Sequence, residues 1–159
     1  MKTILIPFAA LLAALFIGCA QGVECGANCP DISGTYDVTL VERDSNCSFS
    51  GLEPFPLLSV HQDASGGAST SVRDPDLPPP NQSVSVEGRI SVEEGVDPAT
   101  SDVATFTSQF RHNSLNVTVS FSVSGIKSLN KRVSGSITTT ELTQPPCTVI
   151  RSFAGDLLH

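Results

Sequence analysis

Tryptophan is absent from this 159-residue chain, tyrosine and methionine occur once each, and there are only three histidines. Charged side chains make up 16% of it and aromatics 6%. So few titratable groups leave little to build an active site from. Nine bases against sixteen acids give the wrong sign for a general nucleic-acid binder, which needs a basic face for phosphate. Gly-x-Ser-x-Gly, His-Glu-x-x-His and glycine-rich phosphate loops are missing too. Beyond the first eighteen residues no 3.6-residue apolar period lasts three turns, which argues against a helical fold.

Hydroxyls are what the chain has in quantity, with 21 Ser and 13 Thr. They alternate with Val, Ile, Leu and Phe at the period of half-exposed strands. Tyr36, Val38 and Leu40 form one face of a first strand over Thr35–Glu42. Leu57–Gln62 and Ser69–Arg73 follow, joined by a turn at Ser65-Gly66-Gly67. Pro75 to Pro80 then breaks regular structure as a surface loop. Val84, Val86, Ile90 and Val92 mark a further strand. The Phe106/Phe110 run, Leu115–Ser124, Val133–Thr139 and Cys147–Phe153 complete the set. Asp97–Ser108 is the one stretch that could hold a short helix. About eight strands with turn signals between them predict an all-β domain over 31–159, a small antiparallel barrel or a sandwich. Six Phe and Tyr36 supply its core, and Gly88, Ala104, Gly135 and Thr139 among the inward positions leave some room inside.

The beginning of the chain is an address. Met1-Lys2 give a short positive region, and Ile4 to Ile17 are apolar apart from Pro7, too short a run to cross a bilayer. Leu15-Phe16-Ile17-Gly18-Cys19 resembles the lipobox of bacterial lipoproteins. That resemblance implies a signal peptide over 1–18 and a mature chain starting at Cys19, acylated with diacylglycerol and a further chain of the palmitate class. Ala20 after the cysteine implies the outer membrane. The alternative is ordinary cleavage after Ala20, which gives a soluble secreted domain. Losing Lys2 with the leader leaves eight bases and sixteen acids, 8 − 16 = −8, a body that anionic headgroups repel. Residues 19–30, rich in Gly and Ala, read as a flexible tether.

Five cysteines are an odd number, and setting Cys19 aside leaves four for two disulfides in an oxidising envelope. First and last strands are neighbours in a closed barrel, which favours Cys47–Cys147 with Cys25–Cys29 as a local ring, one of three possible pairings. Cys25-x3-Cys29 lacks a nearby His or second Cys pair, so no metal is expected, and no cofactor. His61 and His112 read as polar strand ends. Asp74, Asp76, Glu93, Glu94 and Asp97 read as solvated loop charge that could gather around Ca²⁺, and Lys127, Lys131 and Arg132 as an ordinary basic spot.

Asp31-Ile32-Ser33-Gly34-Thr35-Tyr36 resembles the Gly-x-Trp opening of lipocalins and related calycin barrels, with Tyr36 at the Trp position. Cys147 to Arg151-Ser152-Phe153 is similar to the last strand of small lipocalin-like lipoproteins. The resemblance implies a barrel with Arg151 stacked on Tyr36 and an apolar ligand in the mouth. The function expected is therefore non-enzymatic. It would be a lipid-anchored envelope protein with a structural or binding role, its partner a small apolar molecule or another envelope protein.

Overall fold

A computed structural model describes residues 22–45, 47–128, 130–142 and 145–159. The leader, Cys19 and the start of the tether lie outside the described residues. Among the described residues ten strands follow in chain order: β1 Val23–Glu24, β2 Gly34–Ser45, β3 Glu53–Pro54, β4 Leu57–Gln62, β5 Gly67–Arg73, β6 Ser83–Val92, β7 Val103–His112, β8 Leu115–Ser124, β9 Arg132–Glu141 and β10 Cys147–Leu157. Eight of them form a closed antiparallel ring in sequence order, β2-β4-β5-β6-β7-β8-β9-β10, and β10 pairs back onto β2 from Val149/Ser45 to Leu157/Tyr36. This up-and-down barrel is compatible with a lipocalin-like fold. The two-residue strands sit outside the ring, β1 on β6 and β3 on β5.

Alternation builds this barrel because each strand buries every second residue. On β8, Val117, Val119, Phe121 and Val123 are buried while the hydroxyls between them face outward. β2 keeps that rule for Tyr36 and Val38 but not for Leu40, which is 49% exposed. Two features account for it. β2 pairs with β4 only from Gly34 to Asp37, and Val41 is an extra residue opposite the Ser152/Phe153 step of β10, a β-bulge. Asp97–Ser108 contributes one 3₁₀ turn, Pro98–Thr100, capped by the Asp97 carboxylate on the Ala99 N–H, and then passes into β7.

Two of the small inward residues, Gly88 and Gly135, lie against aromatic rings. Phe106 stacks on Phe121 with ring centroids 4.7 Å apart, and Phe153 tilts against Phe121 at 6.3 Å. A Cβ on Gly88 would stand 2.6 Å from Phe106 Cζ, and one on Gly135 would run into Phe121 Cβ and Ser120 O. These glycines make space for the rings, not for a ligand. Thr139 is fully buried, and its hydroxyl accepts from the Leu52 N–H. Gly135→Ala is therefore expected to destabilise the barrel by about 1–3 kcal/mol through overpacking, read as a lower urea midpoint at unchanged slope.

Candidate functional site

Residues 23–29, part of the 19–30 segment that reads as a tether, pack along the barrel wall. β1 pairs with Ser91–Val92, the Cys25 N–H donates to Ile90 O, and the Cys25–Cys29 disulfide closes a small ring around the turn Gly26–Asn28. A five-residue ring held against a strand end has little freedom left to lose. Ile32, fully buried, then closes this end of the barrel, its N–H donating to Gln62 Oε1 and its carbonyl accepting from the Tyr36 hydroxyl at 2.7 Å. Burial, with Asp31 nearby, pushes the Tyr36 phenol up to about 12. Partial burial would also raise Asp31, but hydrogen bonds from Ser33 and the Lys131 ammonium outweigh it and hold the carboxyl below its ordinary value.

Lys131 is not the solubility residue its sequence neighbours imply. Its ammonium donates to the carbonyls of Asp31 (2.7 Å) and Ser33 (3.2 Å), tying the β8–β9 connection to the strap that closes the barrel. Arg151 does not stack on Tyr36. Tyr36 lies opposite Leu157, six residues along β10 from Arg151, which at ~3.3 Å per residue is roughly 20 Å.

Arg151 instead serves the opposite end, where the segment after Cys47 folds across the barrel. Buried inside, it donates to Ser50 O. Gly51 packs on Val149 with φ +69, and Leu52 plugs the opening at 1% exposure. The Cys47–Cys147 disulfide holds the start of this segment to β10. Ser50 N–H donates to Asp76, which joins the β5–β6 loop to the plug. Next to it a shallow cleft of about 290 Å³ is lined by Phe49, Leu52, Asp74, Asp76, Leu77 and Glu141.

His112 is more than a polar strand end. Its Nε2 lies 2.9 Å from Asp74 Oδ2, with both side chains largely buried, and 3.4 Å from Asn113 Nδ2. His61 is exposed at the far end of β4, beyond its reach. The loop acids also separate. Asp74 and Asp76 follow β5, whereas Glu93, Glu94 and Asp97 follow β6 at the other end, a strand length of ~30 Å away. Asp63 caps its own turn, where hydrogen bonds from Ser65 lead those that hold its carboxyl low. Among the described residues no three His, Cys, Asp or Glu side chains gather as metal ligands. No family model, curated protein or solved structure matches this chain.

Two outcomes follow from these ends. Because the folded Tyr36 phenol titrates above its unfolded value of 10, its contribution is complete below pH 10 and fades as pH rises towards 12. Wild type should lose about 2–3 kcal/mol across that window, and Tyr36→Phe should flatten the loss in urea titrations at pH 9 to 12. Replacing Cys47 and Cys147 together by Ala frees a loop whose ends are 100 positions apart and should cost about 4–5 kcal/mol, read by thermal unfolding.

Proposed function

We propose that this chain is a lipid-anchored cell-envelope lipoprotein, held in the outer membrane through Cys19, with a structural or binding role and no enzymatic one. The supporting observation is the use of cysteine. Cys25, Cys29, Cys47 and Cys147 are consumed in two bridges within the barrel, which leaves Cys19, directly after Gly18, as the remaining cysteine of five. Acyl chains on that residue supply an anchorage that the acidic body cannot, since two or more chains hold stably while the −8 charge opposes adsorption to anionic lipid.

Packing bears on the kind of partner. Phenylalanines pack together inside the barrel and Leu52 stops one end, so an enclosed apolar ligand would have to displace core side chains. Docking of another envelope protein on the outer surface fits the filled barrel better than ligand storage does.

Intact mass of the protein from its own host, with and without reduction and alkylation, tests the anchor. The expected species starts at Cys19, carries added acyl mass, and shows four alkylatable thiols only after reduction. A species starting at Gln21 without lipid would make it a soluble secreted domain and remove the outer-membrane assignment.

A further inference from the structure

One seam of the barrel wall is incompletely stitched. β6 and β7 share only three rungs, Arg89–Thr107, Ile90–Phe106 and Ser91–Thr105, although β6 extends back to Ser83 and β7 on to His112. The neighbouring seams β7–β8 and β8–β9 are each paired over ten positions. The parting begins at a definite point. Gly88 lies so close to Thr107 that a Cβ there would come within 2.5 Å of its carbonyl. One step further, the buried Ser108 hydroxyl donates to Glu87 O at 2.6 Å and occupies the acceptor that the next rung would use. At the far limit the gap is bridged by side chains alone, His112 to Asp74, whose own N–H is bonded to Gln82 O just before β6.

The direction of the main-chain groups in this gap follows from alternation. Ile90 O accepts from the Cys25 N–H and Ile90 N–H donates to Gly66 O, so even-numbered residues of β6 turn their peptide groups towards β5 and β1. Ser85 and Glu87 therefore turn theirs to β7, and from the Arg89–Thr107 rung Gln109 and Arg111 turn theirs to β6. Half-buried Val84 and Phe110 lie behind, packed on the core. Two facing strand edges over an apolar floor match the main chain of an extended peptide, the mode in which a partner adds a strand to a sheet. Charge narrows the partner. Asp76 and Glu87 border the gap, with Arg111 facing them and Arg89 already paired with Glu24, on a chain of net charge −7, so a neutral core with basic flanks fits better than an acidic segment.

We infer that the β6–β7 seam is a docking slot for an extended, basic-flanked segment of another polypeptide. This deepens the proposed envelope role and rests on it for where the partner is met. The peptide-binding property itself does not depend on lipidation, so the mass measurement above and the test below fail separately.

The probe is the capped pentapeptide Lys-Val-Thr-Val-Lys, added at millimolar concentration to the mature chain with both disulfides intact. Amide hydrogen exchange is read residue by residue. In the free protein the amides of Ser85, Glu87, Gln109 and Arg111 should exchange at least about tenfold faster than those of the β7–β8 ladder, and the peptide should slow them about tenfold. Peptide N-methylated at the central Thr, or Glu-Val-Thr-Val-Glu, should bind about tenfold more weakly. Gln109→Pro, which removes a seam-facing donor, should have the same effect, while Gln109→Ala binds normally. Methylating the peptide keeps the test valid if the proline variant does not fold. The proposal is overturned if the seam amides of the free protein are already as slow as the ladder, if the peptide does not bind, or if it protects another edge.

Discussion

Everything else in this molecule depends on β10 pairing with β2. An eight-strand meander left open would present two long hydrogen-bonding edges and a half-exposed core; closing it removes both at once. That one seam spans nine registered positions and joins residues more than a hundred apart in sequence, so its loop-closure cost is the largest any barrel contact carries. The disulfide lies at the end of this seam. Cys47 follows β2 and Cys147 opens β10, so the covalent link falls where the pairing would otherwise fray. The bulge at Val41 lies within the same ladder and lets β2 bend away from β4, which gives the segment from Cys47 to Pro54 a path across the barrel end.

Closure also determines what the two ends become. A ring of eight strands is narrow enough for side chains to fill, and here Phe106, Phe121 and Phe153 fill it, two of them against glycines on the neighbouring strand. The ends are then stopped by backbone and not by bulky side chains alone. At one, Tyr36 and Lys131 hold the carbonyls of Asp31, Ile32 and Ser33; at the other, Arg151 and Thr139 hold the backbone of Ser50 and Leu52. In both cases a buried polar side chain satisfies main-chain groups that the covering strap would otherwise bury unpaired. A function carried by the interior would require undoing one of these sets.

Most of the strands were legible because alternation is a local signal: β4 and β8 begin and end where Leu57–Gln62 and Leu115–Ser124 place them, and β6 contains Val84, Val86, Ile90 and Val92 as read. The barrel closure was legible only as one of two arrangements, since alternation assigns faces and leaves strand order open. What could not be read is what closure brings together from afar. Lys131 meets Asp31 across 100 residues and His112 meets Asp74 across 38, and neither pair has a sequence pattern to betray it. Gly88 and Gly135 looked like spare volume because a glycine on an inward face gives no sign of the ring that faces it. Residues 23–24 pair with β6, but a two-residue strand is too short to show a period, so the Gly- and Ala-rich composition around it dominated.

The incomplete β6–β7 seam has a physical origin in the same packing. Phe106 and Phe121 stack face to face, and that stack needs Gly88 to bring β6 close to β7 at the level of Phe106. Close approach on one level tilts the two strands apart on the next, because each is already fixed on its outer side, β6 to β5 over seven positions and β7 to β8 over ten. Ser108 follows directly: its hydroxyl replaces the first main-chain bond lost as the strands diverge, and Asp74–His112 replaces the last. A larger residue at 88 would separate the strands where they now touch and break the three rungs that remain; a smaller ring at 106 would remove the reason for the glycine. The gap is thus the consequence of filling the barrel with aromatic rings, and the filled interior that argues against an enclosed ligand is also what leaves an open edge on the wall.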